Sequence, residues 1–240
     1  MTDTHKRPDP DSGDLRFGGD TRVTTAMEDY LKVAYQIDQE GLPVTNLRLA
    51  ERLGFSGPSV TNMMKKLNDL KLVVHNPYHG ASLTPAGRSI ALEVIRHHRL
   101  LELYLAEALG YNIDEVHDEA ERLEHHVSEE LERRMERYLG YPTFDPHGDP
   151  IPNRDGTVPD IDDVAFLGIE PGTARKVSRV SDRDPDHLSQ VFGAGIAPGS
   201  EVVLVEIAVP DQDVRIQVDG NEHTLPWSVS QGIRVLPAGA

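Results

Sequence analysis

The sequence contains no cysteine, which excludes disulfide bonds and thiolate metal ligands from any site that it forms. It also lacks long apolar runs. None approaches the roughly 20 residues that a helix needs to cross a bilayer, and the N-terminus has no apolar signal-peptide core. We therefore expect a cytoplasmic protein that has no membrane partner.

Basic residues are scarce as well. Lys and Arg number 24 against 40 Asp and Glu, and the formal net charge is −16. The deficit is uneven, because residues 21–95 carry a formal charge of +1 whereas residues 96–160 carry −9. Phosphate responds to locally placed cations, so the first segment can still bind DNA. The acidic middle would gain from bound cations that relieve its self-repulsion.

The first part of the chain predicts a DNA-binding fold. Residues 1–22 are polar and rich in proline, glycine and aspartate, which is typical of a disordered tail. Residues 24–40 show helical apolar spacing, and two short helices joined by a tight turn at Gly54 follow them. A β-hairpin over 72–84 then completes a winged helix-turn-helix domain spanning 23–95. In that fold the second short helix enters the major groove.

The rest of the chain predicts two further domains and a linker between them. Residues 96–144 form long amphipathic helices rich in leucine, which predict a helical dimerisation and metal-binding domain and hence a homodimer. The leucine-rich stretch consists of Leu100, Leu101, Leu103, Tyr104 and Leu105. Residues 145–164 are a Pro/Gly/Asp-rich linker. Residues 165–240 alternate in short β-branched runs, which predict a small β-barrel. The fold class is mainly α with a small β domain.

The stretch HDEAERLEHH, residues 117–126, combines histidines and carboxylates. As a helix it places Glu121, Glu124 and His125 on one face, at i, i+3 and i+4. Oxygen ligands with one imidazole and no thiolate suit Mn²⁺ or Fe²⁺. One helix rarely closes a coordination sphere, and Asp29 on the first helix is a further candidate ligand.

A second candidate site lies upstream. His98 and Glu102 are four residues apart and share a helix face, and His117 can approach them from the next helix. His97 and His126 are the less well-placed neighbours and are predicted not to be ligands. A charged helix is often simply a solvated face, so spacing alone leaves the metal-site and surface interpretations both open.

Several stretches taken together closely resemble the diphtheria-toxin-repressor family of metal-dependent transcription regulators. The resemblance covers about residues 23–155. The tail is similar, with weaker motifs, to the family's SH3-like (FeoA-like) third domain. The stretches that carry it are TTAMEDYLKVAY, LAERLGFSGPSVTNMMKKL, LTPAGR, RHHRLLELYL, VHDEAERLEHHVSEELERR and PHGDPIPNRDG.

The resemblance implies a role for each matching residue. The primary, activating metal site would consist of Asp29, Glu121, Glu124 and His125. The ancillary site would consist of His98, Glu102 and His117, with Asp184 and His187 from the third domain. The recognition-helix positions that face DNA would be Ser56, Pro58, Ser59 and Asn62.

The implied ligands also separate two branches of the family. The iron sensors carry Cys where this chain has Glu121, and Met where it has Asp29. The harder oxygen donors favour Mn²⁺, with Fe²⁺ as the alternative. The manganese branch often has a second carboxylate where this chain has Lys32, and a cation cannot be a ligand. This puts a dinuclear site of that type in doubt.

The predicted function is metal-dependent binding of double-stranded operator DNA, controlling metal-ion homeostasis genes such as transporters. Lys65, Lys66 and Lys71 would pair with phosphates, and Asn62 can bond adenine through its amide. Two other functions stay open, a metal-independent winged-helix transcription factor and a carboxylate-bridged metalloenzyme. The sequence has neither HExxH nor the paired Glu-x-x-His helices of di-iron oxidases, so we expect a non-enzyme.

Overall fold

The computed structural model describes residues 16–17, 21–76, 80–113, 115–182, 184–208 and 213–239. They divide into two compact units. The first comprises residues up to Ile95 together with His125–Ser128, and the second comprises Arg96–Glu124 and everything from Glu129 onward. Most of the predicted disordered tail lies outside the described residues. Its described parts, β1 (Arg16–Phe17) and β2 (Thr21–Arg22), pair antiparallel.

The first unit is the predicted winged helix-turn-helix. Thr45 caps the second helix by accepting a hydrogen bond from the backbone N–H of Arg48, and Gly54 ends it in the left-handed conformation that the tight turn requires. The fully buried side chains of the core are Leu31, Ile37, Leu49, Val60 and Leu67. The elements are α1 (Thr25–Gln39), α2 (Asn46–Leu53), α3 (Gly57–Asp69), β3 (Val73–Asn76) and β4 (Gly80–Leu83).

Three helices follow the wing. They are α4 (Pro85–Leu109), α5 (Val116–Leu123) and α6 (Glu129–Tyr138). A regular helix over residues 117–126 was predicted, and this is wrong at its end, because Glu124–His126 form a 3₁₀ turn. A 3₁₀ turn has three residues per turn, so it redirects the side chains that an α-helix would have kept on one face.

The leucines of α4 were predicted to lie at a dimer interface, and the structure places them elsewhere. Leu100, Leu101, Leu103 and Leu105 are all buried within a single chain, so they are core residues rather than an exposed dimer surface. Their helical spacing indicates that they are buried, but it does not indicate whether the same chain or a second subunit covers them. The large apolar side chains left exposed on and beside these helices are Leu109, Tyr111, Leu123, Leu131 and Tyr138.

The C-terminal part of the second unit is a six-stranded antiparallel sheet in the order β5-β10-β6-β7-β8-β9. Among the described residues, the edge strands β5 and β9 are not hydrogen-bonded to each other. The strands of the predicted barrel are therefore described as a sheet. On β8, Val214, Ile216 and Val218 point into the core in the alternation that the sequence predicted. The strands are β5 (Val164–Ala165), β6 (Ala174–Val180), β7 (Glu201–Ile207), β8 (Asp213–Val218), β9 (Asn221–Pro226) and β10 (Ile233–Val235). The helices are α7 (Pro185–Gly193) and α8 (Trp227–Ser230).

The predicted linker, residues 145–164, packs into the second unit. Asp145, His147 and Ile151 are 6%, 0% and 2% exposed, so this segment contributes to the interior. The prediction rested on its proline and glycine content, which indicates irregular backbone but says nothing about burial. Among the described helices, none is both long enough and apolar enough to span a membrane.

Asp163 joins the end of this segment to the sheet. Its side chain is 2% exposed, and its carboxylate accepts hydrogen bonds from Nε of Arg179 at 2.7 Å and Nε of Arg234 at 2.5 Å. Although burial raises the pKa of Asp163, its interactions with these two arginines outweigh burial and leave the pKa lowered.

We expect Asp163→Asn to lower the free energy of unfolding by about 2 kcal/mol at pH 7, because two arginines lose their charged partner. Since the folded-state pKa is lowered, the stabilisation is complete above the unfolded pKa of about 3.9 and is lost as pH falls through the folded pKa. Urea unfolding at pH 7 and pH 3 tests this, with the exposed Glu222→Gln as control. A destabilisation of equal size at both pH values would contradict the electrostatic origin.

Candidate metal centres and DNA interface

In the first unit, His125 lies between two carboxylates of α1. Its Nδ1 is 2.6 Å from Oε2 of Glu28, and its Nε2 is 2.8 Å from Oδ1 of Asp29. The Glu28 side chain is 11% exposed, whereas the Asp29 side chain is 43% exposed. Asp29 and His125 were both predicted as primary-site ligands, and the structure places them side by side.

In the second unit, His98 lies between two buried carboxylates. Its Nδ1 is 2.5 Å from Oε2 of Glu124, and its Nε2 is 2.8 Å from Oε1 of Glu102. Nδ1 of His117 is 3.2 Å from the same Oε1 atom. Glu102 and Glu124 are 0% and 2% exposed. The structure thus brings the three predicted ancillary ligands together and adds Glu124 to their surroundings.

Asp182 is the carboxylate from the C-terminal part of the chain that reaches this group. Its Oδ2 is 3.6 Å from Nδ1 of His117. The sequence had assigned this position to Asp184 and His187. Asp184 instead caps α7, because its carboxylate accepts hydrogen bonds from the backbone N–H groups of Asp186 and His187. Asp182 is therefore the residue of this region that the structure places beside His117, and the metal roles of Asp184 and His187 stay predictions.

A further group of acceptors lies on the other side of Glu102. Oε2 of Glu102, Oδ2 of Asp145 and Nδ1 of His147 are buried and have no hydrogen-bond partner among the described residues. Nδ1 of His147 is 3.7 Å from Oε2 of Glu102, which is too far for a hydrogen bond. One ligand atom from each of the three residues fits within 4.8 Å. A buried polar atom without a hydrogen bond costs about 1–3 kcal/mol, so three that converge make this a candidate ion-binding position.

The pKa values in this group reflect the crowding of carboxylates. Burial, together with the neighbouring carboxylates, raises the pKa of Asp145 well above its usual range. Burial alone would lower the pKa of His147, but the adjacent Glu102 carboxylate raises it to about 9. Burial would raise the pKa of Glu102, but the charge of His98 and contacts with the neighbouring histidines hold it well below its usual range. Protons therefore balance the charge here, and a bound cation would displace them.

The donor atoms define which ions can bind. Glu102 directs Oε1 towards His98 and His117, and its Oε2 lies beside Asp145 and His147. All donors are carboxylate oxygens or imidazole nitrogens, a set that suits hard or borderline divalent ions such as Mn²⁺ and Fe²⁺. The residues present therefore fit a divalent metal, with Glu102 as the carboxylate that faces both sides.

Glu121 lies apart from the ligands with which it was grouped. Its side chain is 55% exposed, and its Oε1 is 3.7 Å from Nε2 of His117. The change from α-helix to 3₁₀ turn begins at Glu124, which turns inward while Glu121 stays on the surface. Its role as a primary-site ligand stays a prediction. His126 is exposed, and Nδ1 of His97 donates to the backbone carbonyl of Glu124 at 3.2 Å.

The predicted DNA-contacting side chains share the exposed face of α3. They are Ser56, Pro58, Ser59, Asn62, Lys65 and Lys66, and all are exposed. The hydroxyls of Ser56 and Ser59 lie 2.9 Å apart, so both are presented at the N-terminus of the helix. Lys71 and His75, at the start of the wing, are exposed as well. His79 of the wing lies outside the described residues.

Sequence reasoning missed four residues of these centres, namely Glu28, Asp145, His147 and Asp182. Glu28 directly precedes a predicted ligand, and an adjacent helical residue normally points about 100° away. Asp145 and His147 stand in DPHGDP, residues 145–150, a proline- and glycine-rich stretch that indicates a loop. The i, i+2 spacing of an acid and a histidine in that loop was the available signal, but spacing in a loop does not fix a side-chain direction.

Comparison with known proteins covers nearly the whole chain. Three family models match, described as the iron-dependent repressor N-terminal DNA-binding domain (residues 22–81), its metal-binding and dimerisation domain (84–153) and the FeoA domain (167–237). The chain is 33% identical to the diphtheria toxin repressor of Corynebacterium diphtheriae and 34% identical to the iron-dependent repressor IdeR of Mycobacterium tuberculosis. Each alignment spans 88% of this chain and 96% of the relative.

The similar solved structures are named for metals other than iron. A manganese-dependent transcriptional repressor in complex with manganese is similar at a TM-score of 0.81 and 38% identity, covering 88% of this chain and 99% of that one. ScaR with bound Zn²⁺ is similar at a TM-score of 0.76 and 32% identity, covering 87% and 98%. Relatives with different metals in their names thus share this architecture.

We expect Asp145→Asn to act in opposite directions on the metal-free and metal-bound protein. Without metal the variant should be as stable as the wild type or more stable by about 1 kcal/mol, because an amide removes a buried acid. Its Oδ1 can still accept from the backbone N–H groups of His147 and Asp149. With Mn²⁺ at 100 times Kd the wild type should gain about 2.7 kcal/mol per site, and the variant should gain less.

Thermal unfolding with EDTA and with graded Mn²⁺ measures both effects, and the exposed Asp118→Asn serves as the matched control. A lower Tm of the variant in EDTA together with an unchanged metal response would mean that Asp145 is a structural residue and not a ligand.

Proposed function

Since this chain belongs to the family of metal-dependent transcriptional repressors that includes the diphtheria toxin repressor, we propose that it represses genes of metal-ion homeostasis, such as transporters, as a metal-loaded homodimer on operator DNA. The main supporting observation is the convergence of buried ligand atoms of Glu102, Asp145 and His147 that have no hydrogen-bond partner among the described residues, in a chain whose first unit is a winged helix. A cytoplasmic location is part of this proposal.

We propose Mn²⁺ as the physiological ion, with Fe²⁺ as the alternative. The oxygen-rich donors and the similarity to a manganese-dependent repressor support Mn²⁺, whereas several relatives aligned over 88% of this chain are named iron-dependent repressors. Asp29, Glu124, His125 and Glu121 are the proposed ligands of the activating ion. The proposed ancillary ligands are His98, Glu102, His117, Asp145, His147 and Asp182.

The bound ion would supply a cross-link between oxygen and nitrogen donors. Asp29 lies on the first helix of the winged domain, and His125 lies beside it although it is 96 residues away in sequence. His125 lies in the segment that connects α5 to α6 of the dimerisation domain. Holding His125 against Asp29 would therefore restrict the backbone of this connecting segment.

This restriction is what would couple metal to DNA. A dimer reads two half-sites only when its two recognition helices are correctly spaced, about one helical turn of DNA or a multiple apart. A chain without the cross-link samples many spacings and meets both half-sites rarely. The coupling free energy is typically about 1–3 kcal/mol, and it is reciprocal, so operator DNA must tighten metal binding by the same factor.

The main test is operator binding with and without metal. We expect about 5–150-fold tighter binding to a promoter fragment from a metal-transporter gene when Mn²⁺ replaces EDTA. His125→Ala and Glu124→Ala should lose that gain, and the exposed neighbour His126→Ala should keep it. Fluorescence anisotropy in Mn²⁺, in anaerobic Fe²⁺ and in EDTA measures operator binding by the wild type and the three variants. Equal binding in EDTA would instead identify a metal-independent regulator.

Two classes of substitution on α3 should separate phosphate contacts from base reading. Lys65→Ala and Lys66→Ala should each reduce the slope of log K against log salt by about 1 and weaken binding to all sequences alike. Asn62→Ala should leave the slope unchanged and lose about 1–3 kcal/mol of discrimination at one base pair. Anisotropy over a salt series measures both, and Lys176→Ala in the sheet is the control. A lysine variant with an unchanged slope would not contact phosphate.

A further inference from the structure

The two ring nitrogens of His125 are not equivalent. Nδ1 faces Glu28 at 2.6 Å, and Nε2 faces Asp29 at 2.8 Å. The Glu28 side chain is 11% exposed and the Asp29 side chain is 43% exposed. An ion from solvent can therefore reach the Nε2 side of the ring, where a half-exposed carboxylate stands, more readily than the enclosed Nδ1 side.

The helix geometry makes this double contact specific. Consecutive residues of an α-helix point about 100° apart, so Glu28 and Asp29 diverge from α1. The imidazole of His125 lies between them, and its opposite edges meet one carboxylate each. A ligand histidine must be neutral, with one ring nitrogen bound to the metal and the other protonated. The partner of that remaining N–H fixes which nitrogen is free for the metal.

We propose that Glu28 is a positioning residue of the activating metal site. Glu28 accepts the hydrogen bond from Nδ1–H of His125, which fixes the tautomer and the ring plane and leaves the Nε2 lone pair directed towards Asp29 and the incoming ion. Glu28 itself stays outside the coordination sphere. This inference rests on the proposed function of His125 and Asp29 as ligands, and it adds a residue that controls metal affinity without touching the metal.

The test measures metal binding and DNA binding separately. Mn²⁺ binding is followed by electron paramagnetic resonance of the free ion, restricted to the class of sites that is lost in His125→Ala. The variants are Glu28→Ala, which removes the acceptor, and Glu28→Gln, which keeps a weaker one. Asp38→Asn, an exposed acid further along the same helix, is the matched control.

Glu28→Ala should raise the Kd of this site for Mn²⁺ by about 10–100-fold, and Glu28→Gln should raise it less, because its carbonyl oxygen still accepts from Nδ1–H. At saturating Mn²⁺ both variants should bind the promoter fragment as tightly as the wild type. Wild-type metal affinity in Glu28→Ala, or an equal loss in both variants, would overturn the role as hydrogen-bond acceptor.

A second measurement decides the matter even if Glu28→Ala does not fold. In the ¹⁵N-histidine spectrum with diamagnetic Zn²⁺, His125 of the wild type and of Glu28→Gln should carry the proton on Nδ1 and the metal on Nε2. The reverse assignment in the wild type would refute the proposal. A wild-type protein that binds DNA equally in EDTA refutes the metal switch alone, because the Mn²⁺ affinities of the variants still report on Glu28.

Discussion

The buried carboxylate of Glu102 is the constraint around which the second unit is arranged. It lies in the interior of α4 at 0% exposure, where an isolated charge would be prohibitively costly. Its two oxygens require partners on opposite sides. His98 and His117 provide them on one side, while Asp145 and His147 bring further unpaired atoms to the other. The fold therefore creates an excess of negative charge that protons balance in part and that a divalent cation would balance in the proposed function.

Ion pairs also hold the segment after α6, which contains Asp145 and Asp149. Asp145 draws Arg99 of α4 to 3.5 Å, and the next acid along the loop, Asp149, accepts from Arg179 of β6 at 2.8 Å. Arg179 in turn pairs with Asp163. Alternating charges thus run from the metal-ligand group into the sheet within one compact unit. In the proposed function, a metal at Asp145 would act on one end of this series, which would connect the C-terminal part of the chain to the proposed ligands of α4.

Most of the architecture was predictable, and the reasons are local. The caps and turn of the helix-turn-helix follow from Thr45 and Gly54, whose side-chain and backbone preferences are strong at those positions. The alternation on β8 marks its buried face. The burial of the α4 leucines within one chain could not be predicted, because apolar periodicity identifies a covered face but not what covers it.

The metal centres were predictable only where helical spacing fixes direction. His98 and Glu102 are four residues apart on a regular helix, and the structure keeps them together as predicted. Glu121 and Glu124 do not share a face, because a 3₁₀ turn begins at Glu124, and the hydrogen bonds of such a turn leave no sequence signature as clear as a cap. Asp184 was predicted as a ligand from the resemblance alone, and in the structure its carboxylate caps a proline-led helix while Asp182 approaches His117.

The choice of metal is governed by coordination number more than by ligand type. Carboxylates and imidazoles bind Zn²⁺ more tightly than Mn²⁺ or Fe²⁺ when geometry is free, so the donor set alone cannot make a manganese or iron sensor. Zn²⁺ is usually satisfied by four ligands, whereas octahedral ions accept six. The group around Glu102 offers His98, His117 and Asp182 on one side, and Asp145 and His147 on the other. In the proposed function, a site that offered one ion six such donors would favour Mn²⁺ or Fe²⁺ over a tetrahedral competitor.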